Sequence, residues 1–171
     1  SLTYNKEQVC EDKTIPNFKD EISELMKDSI RIRLRADVPV GSYLSGGLDS
    51  SGITAFVKNY FNNDLRTFGI TFQESAFDES DYQNLLIKHL DTNHSEVHAT
   101  NEDIGKYFSE VIYYGEKPII RAAPVPLFLL SKKVREEGYK VVLTGEGADE
   151  IFGGYNIFRE TKVRKFWSVD P

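Results

Sequence analysis

Cysteine is nearly absent from this sequence, and long apolar runs are absent altogether. The one cysteine, Cys10, lies in a polar stretch and has no partner for an intramolecular disulfide. We therefore expect a reducing compartment, the cytoplasm, as the default location. No apolar run approaches the roughly 20 residues that a membrane-spanning helix needs, and the first residues form no signal-peptide pattern, so a membrane is not an expected partner.

Basic residues are also in the minority. The chain has 21 Lys and Arg against 27 Asp and Glu, which gives a formal net charge of −6. Binding to a phosphate backbone usually needs a basic face, so nucleic acid is not an expected partner either. With 171 residues, of which 40% are apolar and 28% charged, the sequence predicts one globular domain with a substantial core.

The most informative stretch is residues 38–61. It begins with a short β-rich run and ends with apolar residues at the i, i+3, i+4, i+7 spacing of an amphipathic helix. Between them lies Ser-Gly-Gly-Leu-Asp-Ser-Ser, residues 45–51. A glycine-rich turn before a helix attracts anions, because unpaired backbone N–H groups point outward and no Cβ obstructs the ligand. The additional hydroxyl donors are Ser45, Ser50 and Ser51.

Asp49 is the unusual residue of this loop, since a carboxylate repels a bound phosphate unless a cation lies between them. Mg²⁺ fits this position, because it binds carboxylate and phosphate oxygens together. The loop is neither a Walker A motif nor a G-x-G-x-x-G dinucleotide loop. One interpretation is an ordinary strand-to-helix turn with Ser and Asp caps. The seven residues together, however, resemble the pyrophosphate-binding loop (PP-loop) of the ATP pyrophosphatase superfamily.

Strand and helix patterns alternate along the rest of the chain. Residues 1–16 are predicted as a linker or lead-in, followed by a covering helix with Asn17 as its N-cap. Further strands are predicted at 65–72, 94–99 and 140–144, and further helices at 77–90, from 101 to before 118, and from 127 to a stop at Gly138. The residues predicted to face inward include Tyr82, Leu85, Leu86, Leu90, Leu127, Leu130 and Val134. This alternation predicts a three-layer α/β/α fold with a parallel sheet.

A second glycine- and acid-rich stretch, residues 144–155, follows the last predicted strand. Ligands of open α/β sheets bind beyond the carboxyl ends of the strands, where the strand order reverses. If strand 140–144 lies beside the strand near Val40, both loops face one crevice and Asp49 and Asp149 share a metal. The alternative is an ordinary helix start, in which acidic residues stabilise the positive end of the helix. For Glu150 the two interpretations are about equally favoured. The glycines flanking Glu146 favour close approach to a ligand.

Four separated motifs resemble the synthetase domain of B-type asparagine synthetases. They are residues 45–51, His-Ser-Glu-Val-His at 94–98, Ile-Arg-Ala-Ala-Pro at 120–124, and residues 143–155, in the family's order. The resemblance covers residues 17–160 and implies an adenine nucleotide alpha-hydrolase-like fold. It also implies an ATP-dependent ligase that activates the side-chain carboxylate of aspartate as an acyl-adenylate, releases pyrophosphate, and then forms an amide with ammonia.

The resemblance implies a role for individual residues. Those expected to bind ATP are Leu44, Ser45, Gly46, Gly47, Asp49, Ser50, Ser51, Ile70, Thr144 and Gly145. Asp49 and Asp149 are expected to hold Mg²⁺. Glu146 is expected to meet the substrate or the incoming amine, and Arg121 to steady an anionic group in the transition state. His94 and His98 fall on one side of a strand, which allows a metal pair, but a packed, hydrogen-bonded pair is the preferred interpretation.

The resemblance has limits. Full-length family members begin with a glutaminase domain whose N-terminal Cys is the nucleophile, and Cys10 lacks that context. The region with the family's catalytic Lys has no counterpart either, because Lys162 and Lys165 follow the last motif too closely. We therefore expect a piece of a longer protein, with an ATP-binding part at 17–160 and a truncated tail at 161–171. This piece would be incomplete for catalysis and would receive ammonia from a glutaminase domain elsewhere.

Other functions and one further partner are also considered. The chain could act on another carboxylate, as in β-lactam-forming or polysaccharide-linked amidotransferases, or bind a nucleotide without catalysis. A thiouridylase acting on RNA is disfavoured by the acidic charge and the single cysteine. A homodimer through exposed aromatic residues is a further hypothesis. These residues are Phe152, Phe158, Phe166 and Trp167.

Overall fold

The computed structural model describes residues 14–61, 64–74 and 79–168 of the chain. The strands in these ranges are β1 (Val40–Tyr43), β2 (Arg66–Phe72), β3 (Asn93–Ala99) and β4 (Val141–Leu143). The helices are α1 (Ile15–Arg33), α2 (Leu48–Phe61), α3 (Ser80–Leu90), α4 (Asn101–Gly115), α5 (Pro124–Glu136), α6 (Ala148–Phe152) and α7 (Asn156–Trp167). Within the described ranges, every helix lacks either the length or the apolar character that crossing a bilayer requires.

Two of the expected segment boundaries fall inside helices. The chain divides into two compact units, Ser1–Arg35 and Ala36–Pro171, and α1 belongs to the first. Its N-cap is Thr14, whose N–H donates to Asn17 Oδ1 at 3.0 Å, so the prediction of Asn17 as the cap is wrong. Pro16 is tolerated in the first turn, where a backbone N–H would have no partner. The expected boundary after residue 160 falls inside α7. Cys10 lies outside the described residues.

A parallel four-stranded sheet with the order β3-β2-β1-β4 forms the second unit. Ser42 of β1 lies opposite Thr67 of β2 on one side and opposite Leu143 of β4 on the other. The chain therefore runs outward from β1 through β2 to β3, and then crosses back to the free side of β1. The condition for a shared crevice, that strand 140–144 lies beside the strand near Val40, is therefore met.

The two faces of the sheet carry different helices. Successive side chains of a strand point to opposite faces, so the contacts of neighbouring β1 residues show which helix lies on which face. Ser42 Oγ lies 3.0 Å from Thr54 Oγ1 of α2, whereas the Tyr43 hydroxyl lies 3.1 Å from Ser131 Oγ of α5. Helices α2 and α5 are therefore on opposite faces of the sheet. This is the predicted three-layer α/β/α arrangement.

The core between the sheet and α5 is an apolar cluster around Phe68, which is fully buried. Leu130 and Val134 of α5 pack against it, and the Tyr139 ring meets the Phe68 ring edge-on with centroids 5.3 Å apart. Burying a side chain of this size stabilises the fold by about 2–3 kcal/mol. The inward prediction for Leu130 and Val134 is confirmed, but it is wrong for Leu127, which is 48% exposed.

Helix α3 differs from its prediction in the residues that face inward. Residues 77–78, where it was predicted to begin, lie outside the described residues, as do residues 62–63 of a predicted turn. Tyr82 and Leu85, both predicted inward, are 69% and 67% exposed, while Gln83 is only 1% exposed. A polar residue therefore occupies the inward position, and hydrophobic periodicity cannot indicate such a residue.

Two histidines of β3 pair with threonines of β2. His94 Nδ1 lies 2.9 Å from Thr67 Oγ1, and His98 Nδ1 lies 3.1 Å from Thr71 Oγ1. This confirms the hydrogen-bonded part of the interpretation, but the packed part is wrong for His98, which is exposed. No group of three or more His, Cys, Asp or Glu side chains within the described ranges is arranged to hold a metal ion.

His94 is held neutral by its surroundings. Burial lowers its pKa from 6.5 to about 4, the positive charge of Arg66 contributes in the same direction, and the charge of Glu137 opposes it. The Nε2 atom is buried without a hydrogen-bond partner, so a proton there would have no acceptor.

We expect His94→Gln to flatten the pH dependence of stability between pH 6.5 and pH 4, the two ends of the His94 shift. In this window the unfolded wild type binds a proton that the folded form does not, so its free energy of unfolding falls as pH is lowered. The full shift of about 2.5 pKa units corresponds to about 3.4 kcal/mol at about 1.36 kcal/mol per unit, and the loss is smaller than this because His94 is partly exposed to solvent. Urea unfolding across this range measures it. His98→Gln is the matched control, because that ring is exposed. An unchanged slope in His94→Gln would contradict the assignment.

Candidate functional site

The loop between β1 and α2 continues the sheet for one residue and then turns away. Leu44 N–H donates to the Phe68 carbonyl at 2.8 Å, which extends the β1–β2 ladder past Tyr43. Gly46 then adopts a φ of +92°, a left-handed conformation that favours glycine. A Cβ at Gly46 would lie 2.9 Å from the carbonyl oxygen of Glu79, the N-cap of α3. The loop is therefore packed against α3 and has no room for a larger residue.

The serine hydroxyls of this loop stabilise the turn itself. Ser45 Oγ and Ser50 Oγ are 2.9 Å apart, and Gly47 N–H donates to Ser45 Oγ at 3.2 Å. Ser51 Oγ donates to the Gly47 carbonyl at 2.5 Å. These bonds hold one loop conformation at the N-terminus of α2, where the helix dipole favours an anion.

The loop between β4 and α6 lies directly against the start of α2. A Cβ at Gly145 would be 2.7 Å from the Ser50 backbone nitrogen and 2.8 Å from the Asp49 carbonyl carbon. Because these are backbone atoms, only glycine permits such a close approach. Two glycine- and acid-rich stretches that are far apart in the sequence therefore form one site.

The short helix α6 lies between two left-handed glycines. Gly147, its N-cap, has a φ of +92°, and Gly153, its C-cap, has a φ of +71°. Gly154 N–H donates to the Asp149 carbonyl at 3.0 Å, and a Cβ at Gly154 would overlap Oδ1 of the Asp149 side chain. Gly154 therefore makes room for the Asp149 carboxylate.

These loops surround a cavity of about 230 Å³ at the carboxyl ends of β1, β2 and β4. The strand order reverses here, at the position where open α/β sheets bind ligands. The predicted site residues that line the cavity are Leu44, Ser45, Gly47, Asp49, Ser50, Ile70, Thr144, Gly145, Glu146 and Asp149. Three other predicted residues, Gly46, Ser51 and Arg121, are not among the lining residues.

Sequence reasoning did not assign several other lining residues to the site. They are Tyr43, Leu48, Phe68, Gly69, Leu127, Leu130, Gly147, Glu150 and Tyr155. Gly69 carried a usable signal, because a glycine inside a β-rich run often marks the close approach of another group. Leu127 carried none, because its apolar spacing is that of a core residue.

Arg121 is not among the residues that line the cavity. It is exposed in the segment between α4 and α5. The next two residues, Ala122 and Ala123, line a second, largely apolar cavity of about 480 Å³, which shares Ile70 and Leu127 with the first cavity. The role of Arg121 in steadying an anion stays a prediction.

The first cavity is strongly acidic. Asp49, Glu146, Asp149 and Glu150 line it, and none of its described lining residues is Lys or Arg. The Tyr155 hydroxyl donates to Glu150 Oε1 at 3.1 Å. That hydrogen bond raises the pKa of Tyr155, as do the charges of Glu150, Asp149 and Glu146. A phosphate would be repelled here unless a cation accompanied it, and carboxylate oxygens are the donors that Mg²⁺ prefers.

The backbone of Ile70 faces this cavity beyond the end of β1. The Phe68 carbonyl accepts from Leu44, and the Leu65 carbonyl accepts from Asn93 of β3. Alternate residues of β2 therefore direct their N–H and C=O groups toward β1, and these include Phe68 and Ile70. Because the chain turns away after Leu44, the Ile70 groups are directed into the cavity as one donor and one acceptor.

Comparison with known sequences identifies the family. The sequence profile of asparagine synthase matches residues 21–170, which is most of the chain. The chain belongs to the asparagine synthase family. It is 36% identical over 153 residues to asparagine synthetase [glutamine-hydrolyzing] 1 of Bacillus subtilis, covering 90% of this chain and 23% of that family member. It is 35% identical over 163 residues to asparagine synthetase B of Escherichia coli, covering 86% of this chain and 29% of that one. The chain thus spans about a quarter of the length of these relatives.

Solved structures confirm the α/β fold class of this family member. The tRNA thiolase NcsA from Methanococcus maripaludis aligns with a TM-score of 0.58 at 18% identity, covering 79% of this chain and 48% of that one. The NH3-dependent NAD synthetase from Campylobacter jejuni aligns with a TM-score of 0.55 at 20% identity, covering 80% and 60%. Identities this low show the fold alone, since one fold carries many reactions.

We expect Gly145→Ala to destabilise the protein by about 1–3 kcal/mol, the usual cost of overpacking. The added Cβ would meet backbone atoms of Asp49 and Ser50, which cannot move aside as a flexible side chain can. Gly52→Ala is the matched control, because nothing lies within 4 Å of a Cβ there. Alanine should stabilise α2 at that position by about 1 kcal/mol. Urea unfolding compares the two variants, and equal stabilities would contradict the close contact between the loops.

Proposed function

We propose that this chain is the nucleotide-binding part of a glutamine-dependent asparagine synthetase, an ATP-dependent carbon–nitrogen ligase. The observation that carries the proposal is the meeting of two glycine-lined, acid-bearing loops at one cavity, where the order of the parallel sheet reverses. The family match and the names of the relatives support the choice of reaction.

The proposed reaction has two steps. The side-chain carboxylate of aspartate attacks the α-phosphorus of ATP, an acyl-adenylate forms, and pyrophosphate leaves. Ammonia then attacks the acyl carbon, the amide C–N bond forms, AMP leaves with the electrons of the broken C–O bond, and a proton is released from nitrogen. The ammonia would come from a glutaminase domain of a longer protein, since the relatives are named as glutamine-hydrolyzing enzymes.

The loop at residues 45–51 would bind the pyrophosphate part of ATP. The glycines allow the backbone to approach the phosphates, and N–H groups at the start of α2 would donate to them. Ser45 and Ser50 line the cavity and would add hydroxyl donors. Ser51, whose hydroxyl is bound to the Gly47 carbonyl, would hold the loop in place instead of contacting the nucleotide.

The adenosine part would lie against Ile70, Thr144 and Gly145. Adenine carries an acceptor, N1, beside a donor, its N6 amino group, and this pair complements the N–H and C=O of Ile70. Leu44 and Leu127 also line the cavity and would provide the apolar contact that a purine ring needs.

Mg²⁺ would be held by Asp49 and Asp149. Both line the same cavity, and the space beside Gly154 admits the Asp149 carboxylate. No group of three acidic or metal-binding side chains completes a site within the described ranges, so phosphate oxygens would supply the other ligands. When bound, the ion would neutralise phosphate charge in this acidic cavity.

Glu146 and Arg121 are the proposed catalytic residues. Glu146 lies at the cavity between two glycines, where it could accept a proton from the attacking amine. Arg121 would steady an anionic group of the substrate from the segment between α4 and α5. Cytoplasmic location and a homodimer stay predictions. The aromatic residues behind the dimer hypothesis, Phe152, Phe158, Phe166 and Trp167, are exposed.

We expect Asp49→Asn and Asp149→Asn each to weaken ATP binding at least about tenfold when Mg²⁺ is present, because charged groups make the stronger metal and hydrogen-bond contacts. In excess EDTA the same variants should bind ATP as well as the wild type or better, since one repulsive charge is gone. Calorimetric titration measures the affinity for ATP in both conditions.

Asp91→Asn is the matched control for these variants. It makes the same change of charge in the exposed residue that ends α3, just before the amino end of β3. Its affinity for ATP should equal that of the wild type in both conditions. Wild-type protein that bound ATP equally well with and without Mg²⁺ would contradict the proposed metal role.

A further inference from the structure

Gln83 is a polar side chain buried beside the candidate site without lining it. It belongs to α3, and only 1% of its surface is exposed. Its Nε2 donates to the Leu44 carbonyl, at the point where β1 passes into the loop. Burying an amide costs free energy unless its hydrogen bonds are made. The presence of a glutamine at this buried position therefore requires an explanation.

Gly69 provides the space in which the Gln83 side chain lies. A Cβ at Gly69 would overlap Gln83 Nε2 and would lie 2.9 Å from His94 Cε1. The backbone nitrogen of Gln83 lies 3.1 Å from the position of a Cβ at Gly46. One residue of α3 therefore contacts both the second strand and the glycine-rich loop.

The bond from Gln83 replaces a bond of the sheet. Leu44 N–H donates to the Phe68 carbonyl, so a continuing parallel ladder would next join Ile70 N–H to the Leu44 carbonyl. The backbone hydrogen bonds of the described residues do not include that bond, and Gln83 Nε2 donates to the Leu44 carbonyl instead. The Ile70 N–H is thereby left to the cavity that Ile70 lines.

We propose that Gln83 is a positioning residue for the nucleobase: by capping the Leu44 carbonyl it ends the β1–β2 ladder and keeps the Ile70 N–H and C=O available to the base. This inference rests on the proposed nucleotide-binding function and extends it to a residue that does not touch the ligand. Without the Gln83 amide, the Leu44 carbonyl takes up the Ile70 N–H as its sheet partner, and the ligand loses that donor.

Gln83→Met tests this role, because methionine keeps the length and apolar burial of the side chain and removes the donor. With Mg²⁺ present, we expect the Kd for ATP to rise about tenfold while the Kd for inorganic tripolyphosphate changes less than about twofold. Tripolyphosphate has no base, so the ratio of the two Kd values isolates the base contact. A loss of folded protein alone would weaken both ligands equally.

Thr54→Val is the matched control for Gln83→Met. Thr54 is also fully buried, and its hydroxyl lies 3.0 Å from Ser42 Oγ, away from the residues that line the cavity. The variant removes one buried hydrogen bond, as Gln83→Met does, and should leave the ratio of the two Kd values unchanged. A change of the same size in Thr54→Val would overturn the specific role of Gln83.

Hydrogen exchange on the wild-type chain tests the same point if Gln83→Met does not fold. The Ile70 amide should exchange faster than the Phe68 amide, because Phe68 lies opposite Tyr43 within the β1–β2 ladder. ATP should protect the Ile70 amide, whereas tripolyphosphate should not. Equal protection of the two amides before ligand is added overturns the inference alone. So does an equal rise in the Kd for ATP and the Kd for tripolyphosphate in Gln83→Met. A wild type that binds neither ligand overturns the proposed function and the inference together.

Discussion

The pairing of β4 with β1 is the constraint on which the whole site depends. β4 has only three residues, Val141–Leu143, yet its register against Val40–Ser42 sets the height at which the following loop leaves the sheet. Parallel strands end at the same edge, so the loops after β1 and β4 have to meet. The close approach of Gly145 to the first turn of α2 follows directly from that pairing.

Bringing these loops together also concentrates negative charge. Asp49 and Asp149 each lie in the first turn of a helix, where the helix dipole favours a carboxylate. In one cavity with Glu146 and Glu150, they create a field that repels anions. Under the proposed function, backbone N–H groups and a divalent ion would bind the phosphates here, whereas a Walker A loop uses a lysine. An acidic chain with a net charge of −6 is compatible with such a site.

Local patterns predicted the strands more accurately than the inward faces of the helices. The run at 65–72 corresponds to Arg66–Phe72, and the run at 94–99 to Asn93–Ala99. Gln83 was missed because hydrophobic periodicity assumes an apolar inward residue, and the bond to the Leu44 carbonyl offsets the cost of burying an amide. Leu127 was assigned to the core because apolar spacing does not distinguish a core position from the wall of a cavity.

The amino-acid sequence by itself determined the local features of this protein: the left-handed glycines, the carboxylates beside them, the alternation of strands and helices, and the family. Only the tertiary structure decided that Asp49 and Asp149 line one cavity, that Arg121 is not among its lining residues, and that Gln83 takes the place of a sheet partner. Turn and helix preferences act over a few residues, so they are visible in the sequence. The choice of a neighbour for β1 is not, because backbone N–H and C=O groups pair equally well with any parallel strand.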